Sequence, residues 1–273
     1  MKFGILYIVS TPIGNLEDIT FRAIRILKEV DLIAAEDTRN SAILTTKYNI
    51  KTKLISYHKF NEKQRTEFLI QELESGKNIA VISDAGTPGI SDPSQVIVRE
   101  CIKNNIPVIP IPGPSAIITA LSVSGFSTEN FSFFGFIPKS KSKKTEFLKN
   151  LISRTETMIF FESPKRVKQT LQTFIDIFGN RQIVAAKELT KIYETFFRGT
   201  IQEVLFQFDE KNLKGEFVIL LEGAEENEIS DSEIEKLLRA KIVDGLIKSE
   251  AVKEISKNYN IKKNRVYHVS LRI

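Results

Sequence analysis

Five short runs bring together residue types that could do chemistry on a ligand. The longest is Ser83-Asp84-Ala85-Gly86-Thr87-Pro88-Gly89-Ile90-Ser91-Asp92-Pro93, which follows an apolar strand-like run and precedes a helical pattern. Its two inner glycines let backbone approach a ligand, and its prolines stiffen the loop. The same run also fits an ordinary strand-to-helix turn with Ser91 or Asp92 as the helix N-cap. Ile111-Pro112-Gly113-Pro114-Ser115-Ala116 is a second strand end, either a rigid turn with Pro114 opening a helix or a ligand contact. Ala34-Ala35-Glu36-Asp37-Thr38-Arg39 gathers two carboxylates and a guanidinium, which could supply a base and a phosphate clamp. Its plainer reading is a capping cluster with Asp37 or Thr38 at the N-cap. Ala186-Lys187-Glu188-Leu189-Thr190-Lys191, with Glu194 beyond, alternates charges as a solvated face does, yet it sits at the end of an apolar strand, where sites occur. Tyr57-His58-Lys59-Phe60-Asn61-Glu62 mixes aromatic, basic and amide groups suited to RNA, or holds a structural histidine.

The elements that must position these runs follow from the apolar pattern. Through about residue 120, strand-like stretches at 5–10, 31–36, 53–57, 79–83 and 108–111 are rich in Ile, Val and Ala and nearly free of charge. That is the pattern of strands buried on both faces. Helical patterns at 20–30 and 61–75 lie between them, the second closed by Gly76. Alternating β and α units predict a mostly parallel sheet covered by helices on both faces. In such sheets ligands bind outside the carboxyl ends of the strands, where the first three runs fall.

Beyond about residue 123 the pattern changes. An aromatic strand is expected over 131–137, then a basic stretch from Lys139 to Arg154 with six Lys or Arg and one Glu, read as an exposed flexible loop or a phosphate-neutralising arm. Strands at 157–162, 182–187, 193–198 and 216–221 follow, the last three predicted to pair antiparallel. Residues 222–235 hold seven acidic residues and no basic one, which reads as a solvated linker. In 236–273, Ile242, Leu246 and Ile247 mark one helix, Ala251, Val252 and Ile255 a second, Tyr259-Asn260-Ile261 a turn, and Val266, Tyr267 and Leu271 a third. That is a helix-turn-helix-like module, with five basic and no acidic residues from Ser256 onward. The expected division is an N-terminal α/β domain over 1–122, a second α/β domain over 123–224, an acidic linker over 225–235 and the helical module over 236–273.

Composition narrows the function classes. The chain has 273 residues, with 39 Lys and Arg against 34 Asp and Glu, a globular composition with room for about one to three domains. Cys101 is the only cysteine and His58 and His268 the only histidines, so an intrachain disulfide, a thiolate cluster and an all-His zinc site are excluded. No window reaches the about 18 apolar residues of a membrane helix, and the apolar run of MKFGILYIVSTPIGN reads as a first strand. A soluble, reducing, cytoplasmic setting is expected. Serine-hydrolase elbows and P-loops are absent from the sequence.

Seven collinear segments carry a family resemblance: LYIVSTPIGNLEDITFRAIRIL, DLIAAEDTR, VISDAGTPGISDP, PIPGPSA, FFGFIPKSK, FFESPKRV and AKELTKIYET. In order and spacing they resemble the tetrapyrrole methylase superfamily, and within it the branch that modifies ribosomal RNA. The similarity spans about residues 4–223, and the C-terminal module also fits. Corrin- and haem-pathway members have a G-x-G-x-G-D loop after the first strand. Here that loop is Thr11-Pro12-Ile13-Gly14-Asn15-Leu16-Glu17-Asp18, with one glycine, which weakens a tetrapyrrole substrate.

The resemblance implies two α/β domains with the ligand cleft between them, a homodimer, and S-adenosylmethionine as methyl donor without a metal. It implies rRNA processing by 2′-O-methylation of a cytidine ribose in the decoding region of 16S ribosomal RNA, within the small ribosomal subunit. By the same resemblance the donor should contact Pro12, Ser83, Asp84, Gly86, Thr87 and Ile90, be bordered by Pro112 and Ser115, and be walled by Phe134, Phe161 and Ala186. Transfer to a hydroxyl needs alignment and a proton acceptor. Asp37 and Glu188 are the expected bases, with Arg39, Lys187 and Lys191 holding phosphates or lowering the proton affinity of the hydroxyl. The competing readings are a small-molecule methyltransferase acting on a tetrapyrrole, a non-catalytic RNA-binding protein, and a nucleotide-binding regulator.

Overall fold

The computed structural model describes residues 3–92, 94–208, 214–225, 230–259, 261 and 263–273. By its contacts the chain divides into two compact units, one ending at Ala224 and one beginning at Glu225. The first unit contains two five-stranded sheets.

The first sheet has the order β3-β2-β4-β1-β5 and is parallel throughout. Its strands are β1 (Leu6–Val9), β2 (Leu32–Ala35), β3 (Leu54–Ser56), β4 (Ile79–Ile82) and β5 (Val108–Ile111). Helices α1 (Phe21–Glu29), α2 (Thr38–Lys47), α3 (Glu62–Glu74) and α4 (Gln95–Lys103) connect them. Alternate residues feed opposite cores. Val9, Ile33, Ala35 and Ala80 join the side chains of α1 and α2, while Leu6, Leu32, Ala34, Val81 and Tyr57 join those of α3 and α4. Burial on both faces explains the charge-free strands. Tyr57 is buried and shares a hydrogen bond with Thr66, so it serves that core.

Helix α5 (Ala116–Ser122) lies against the second sheet, setting Ile117, Ala120 and Leu121 beside Ile159, Val184, Ala186, Val218 and Leu220. The second sheet has the order β6-β7-β10-β8-β9, built from β6 (Phe131–Phe136), β7 (Thr157–Glu162), β8 (Gln182–Lys187), β9 (Thr195–Thr200) and β10 (Phe217–Leu221). β6 and β7 are parallel and the remaining pairs antiparallel. Its other face is covered by α6 (Lys141–Lys149), α7 (Val167–Phe178) and α8 (Ile201–Gln207).

Several boundaries differ from the sequence expectation. Helix α4 begins at Gln95 with Ser94 at its N-cap, and neither Ser91 nor Asp92 caps it. Pro114 does not open α5, because Ser115 is the N-cap. The basic stretch 139–154 is not a flexible loop; most of it is α6, capped by Ser140 and anchored by buried Leu148 and Lys144. Strand β9 starts at Thr195 rather than 193, while the last three strands pair antiparallel as expected, with β8 between β10 and β9.

The second unit is three helices, α9 (Asp231–Val243), α10 (Lys248–Asn258) and α11 (Lys263–Ser270), around Ile234, Leu238, Ala251, Val252, Ile255, Val266 and Val269. Ser230 and Glu233 form a reciprocal capping box, so residues 231–235 are helix and not linker; acidic side chains favour a helix start. Residues 226–229 of that stretch, and Asn260 and Pro93, lie outside the described residues. Ile242 lies in the last turn of α9 whereas Leu246 and Ile247 follow that helix, so the three do not share a helix. Among the described residues no helix is long and apolar enough to cross a membrane.

Candidate functional site

The carboxyl ends of the first sheet are stitched together before any ligand is considered. Thr11 and Gly86 exchange backbone hydrogen bonds of 2.9 and 3.1 Å, joining the loops after β1 and β4. The Thr11 hydroxyl donates to the Ser83 carbonyl at 3.0 Å, Ser10 and Thr87 share a hydroxyl contact at 2.9 Å, and Thr87 reaches the Pro114 carbonyl at 3.4 Å. Gly86 has φ +78°, and a Cβ there would press on the Ile13 side chain at 3.4 Å. Asp92 staples the other end of the loop by accepting from the backbone N–H groups of Gly89 (2.6 Å) and Ser94 (3.1 Å) and from the Ser94 hydroxyl (2.7 Å).

These loops floor a cavity of about 430 Å³, within the range of about 300–1,000 Å³ usual for small-molecule sites. Ser83–Thr87, Ile90, Ser91 and Ser115 line the floor. Ile13, Ile117, Leu189 and Val218 line an apolar side, and Phe136, Phe161, Ser163 and Pro164 the wall from the second sheet. The floor is rich in main-chain groups and the walls are apolar, an arrangement suited to a ligand with a flat apolar portion and polar ends. Two of the bordering segments hold left-handed backbone at non-glycine residues: Ser91 at φ 72°, and Glu188 and Thr190 at 52° and 63°. Such conformations persist where the surroundings over-determine them.

The cavity gathers Ser83, Asp84, Gly86, Thr87, Ile90, Ser115 and Phe161 of the expected donor set. Pro12 and Pro112 do not line it; each is next in chain to a residue of the stitched loops. Phe134 points to the helix-covered face, stacked on Phe160 at 5.4 Å between ring centres. A bulge between Phe133 and Phe136 changes the alternation, so Phe136 reaches the cavity instead and meets Phe161 edge-on at 5.4 Å. Ala186 is fully buried in the core between α5 and the second sheet, behind the wall.

None of the five expected catalytic residues lines the cavity. Asp37 is the N-cap of α2, accepts from the Arg39 backbone N–H at 2.8 Å, and holds the Arg39 guanidinium through both carboxylate oxygens. That guanidinium lowers its pKa to about 2, so Asp37 holds no proton readily and Arg39 is already paired. Glu188 accepts from Lys191 Nζ at 2.9 Å and from the Glu216 backbone N–H at 3.0 Å. Burial pushes its pKa up, but these bonds outweigh it and the net shift is downward. Lys191 is shared between Glu188 and Glu216. Lys187 follows Ile183 and Ala185 in strand alternation, which points it to the helix-covered face.

Five acidic residues line the cavity, Glu36, Asp84, Asp92, Glu162 and Glu216. Asp92 is held by Gly89 and Ser94, Glu162 by Ser163, Thr170 and Arg166, and Glu216 by Lys191, which leaves Glu36 as the candidate acceptor. Partial burial raises its pKa, against one hydrogen bond from the Asp84 N–H at 3.3 Å, and the nearby charges of Asp84, Asp92 and Asp37 raise it further. Asp84 is itself held, accepting from the Asp37 N–H and the Asn40 amide at 3.1 and 2.9 Å. The signal for Glu36 was present in the sequence: once Asp37 is taken as the helix cap, its neighbour is the carboxylate left at the strand end.

Against known families, residues 5–205 match the model of the Tetrapyrrole (Corrin/Porphyrin) Methylases. The chain belongs to the tetrapyrrole methylase family. Among curated members of this family group, it is 44% identical to "Ribosomal RNA small subunit methyltransferase I" of Halalkalibacterium halodurans, over 97% of this chain and 94% of that protein. It is 45% identical to the protein of the same name from Bacillus subtilis, over 97% and 93%. The crystal structure of uroporphyrin-III-C-methyltransferase from Thermus thermophilus shares the methylase fold with a TM-score of 0.59 and 16% identity, covering 80% of this chain and 94% of that one. Among the described residues of this methylase, no group of three or more His, Cys, Asp or Glu is placed to hold a metal ion.

Proposed function

We propose that the cleft binds S-adenosylmethionine and that the protein methylates the 2′-hydroxyl of a cytidine ribose in the decoding region of 16S ribosomal RNA, within the small ribosomal subunit. The observation that carries this reading is identity of 44–45% over nearly the whole chain to proteins named as ribosomal RNA small subunit methyltransferases. The cavity supports it through its fit to the donor: main-chain groups of Ser83–Thr87 for polar ends, Ile13, Ile117 and Phe161 for the apolar purine face. When bound, the donor supplies a methyl group on a cationic sulfur. The chain's own work is to align the hydroxyl oxygen behind that carbon, exclude water and accept the hydroxyl proton. As the new oxygen–carbon bond forms and the carbon–sulfur bond breaks, the released proton passes to the Glu36 carboxylate, which takes the role first expected of Asp37 or Glu188. The family resemblance adds a homodimer and a cytoplasmic setting to the reading.

The test mixes purified protein and methyl-labelled S-adenosylmethionine with small subunits lacking the modification, beside naked 16S RNA and a tetrapyrrole. Label confined to one alkali-resistant position in the RNA is the expected result. Label in the tetrapyrrole alone, or donor binding with no label in RNA, overturns it.

A further inference from the structure

The wall of the cavity continues into a cationic surface. Phe136 and Pro164 line the cavity, and the chain runs from the first to Lys139, Lys141 and Lys143 and from the second to Lys165, all four exposed. These two segments are locked to each other. Arg166 donates from one guanidinium nitrogen to the carbonyls of Ile137 (2.7 Å) and Pro138 (3.1 Å), and the same nitrogen lies 3.2 Å from the Glu162 carboxylate. Glu162 is buried and also accepts from the Thr170 hydroxyl at 2.8 Å and the Ser163 N–H at 2.7 Å. Lys144 turns inward on the same side of α6, 2% exposed, with its charge facing Glu162 and Arg166. An inward lysine is costly unless its charge has a partner, so this helix is seated in one orientation. Its outward lysines therefore hold a fixed place beside the cavity, and none of the four makes an ion pair among the described residues. The only carboxylate exposed on α6 is Glu146, in its second half.

We propose that Lys139, Lys141, Lys143 and Lys165 form a docking rail for the phosphate backbone of the RNA substrate at the mouth of the cleft. The partner follows from the chemistry: exposed ammonium groups clustered where the cavity wall runs into α6 and α7, with no ion pair among the described residues, match a polyanion and carry no base selectivity. The proposal rests on the reading that the substrate is RNA. The rail sets affinity and salt dependence and leaves donor binding to the cavity.

The experiment compares wild type with the combined variant Lys139→Ala, Lys141→Ala, Lys143→Ala, Lys165→Ala, measuring binding to small ribosomal subunits and to a naked 16S transcript across a salt series. Losing four phosphate contacts should flatten the slope of log affinity against log salt by about three and weaken binding at least about ten-fold. Donor binding and melting temperature, measured alongside, should stay at wild-type values. An unchanged slope and affinity overturn the rail. A flattened slope accompanied by lost donor binding also overturns it, because the lysines would then be serving the cavity or the fold. Label transfer by wild type is read separately: its absence sinks the methylation reading, while the salt slope still decides the rail.

Discussion

Glu36 and Asp37 are chain neighbours whose surroundings drive their acidities apart. Asp37 trades both oxygens to Arg39 and to the first turn of α2, which pins its pKa near 2. Glu36 is partly buried beside three carboxylates with one backbone donor, and its pKa rises. A base needs proton affinity closer to that of the group it serves, so the pair divides into a cap and an acceptor. Glu36→Gln should therefore lower kcat by about 10²–10⁴-fold with donor affinity kept, whereas Asp37→Asn, which retains a good cap, should keep kcat within about two-fold. Single-turnover methyl transfer at saturating donor checks both. The base must be ionised, so the acid limb of the wild-type rate profile should lie above the ordinary glutamate range and vanish in Glu36→Gln. The stability effects have opposite signs. A raised folded-state pKa contributes stability that is lost as pH rises through it, so Glu36→Gln should melt higher than wild type at neutral pH. Asp37, lowered, contributes stability present above its unfolded pKa and lost as pH falls. The melting deficit of Asp37→Asn should accordingly close between about pH 4 and pH 2.

At the scale of elements, the cleft depends on how closely the loop after β1 meets the loop after β8. Gly14 is where they touch. A Cβ there would stand 2.5 Å from Lys191 Cγ, 2.7 Å from the Leu189 carbonyl and 2.8 Å from the Thr190 hydroxyl, which also accepts the Asn15 N–H at 3.0 Å. Gly14→Ala should cost about 1–3 kcal/mol as overpacking and prise Ile13 and Leu189, both cavity residues, apart. Denaturant unfolding reads the first effect. A fall in donor affinity by equilibrium dialysis reads the second, and unaltered affinity would separate this contact from the cavity. The parallel sheet was legible because strands buried on both faces show as uninterrupted Ile, Val and Ala, and the cavity loops were legible because they end those strands. Helix α6 was hidden by its lysines: four in nine residues look solvated, and only the structure shows that Lys144 turns inward. The resemblance named Phe134, which alternates with Phe133 onto the helix-covered face, while the bulge in β6 turns Phe136 to the cavity, and bulges leave no simple period in a sequence. Glu188 was chosen as a base for its place at a strand end, but Lys191, close by in the chain, satisfies it.

For the molecule as a whole, the two units differ greatly in how much core they have. The first unit shares four clusters of buried side chains across two sheets, while the second buries seven hydrophobic residues among three helices. Enthalpy of unfolding scales with length, so the unit from Glu225 should melt with roughly 35 kcal/mol and the unit ending at Ala224 with roughly 150. A chain ending at Ala224 should lose only the small calorimetric transition and keep donor binding, since every cavity residue precedes that point. The basic tail makes the second unit look like the main grip on RNA, but two of its five cations are engaged: Arg265 and Arg272 each lie 3.3 Å from the Asp231 carboxylate. Those pairs leave at most three lysines for phosphates. Lys257→Ala, Lys262→Ala and Lys263→Ala together should therefore flatten the salt dependence of subunit binding by no more than about three, comparable to the loss expected from Lys139, Lys141, Lys143 and Lys165. Because the two sets of charges lie in separate units, removing both should give close to the sum of the single losses. A truncation that abolishes binding outright would place the dominant RNA contact in the three-helix unit and reduce the rail beside the cleft to a minor one.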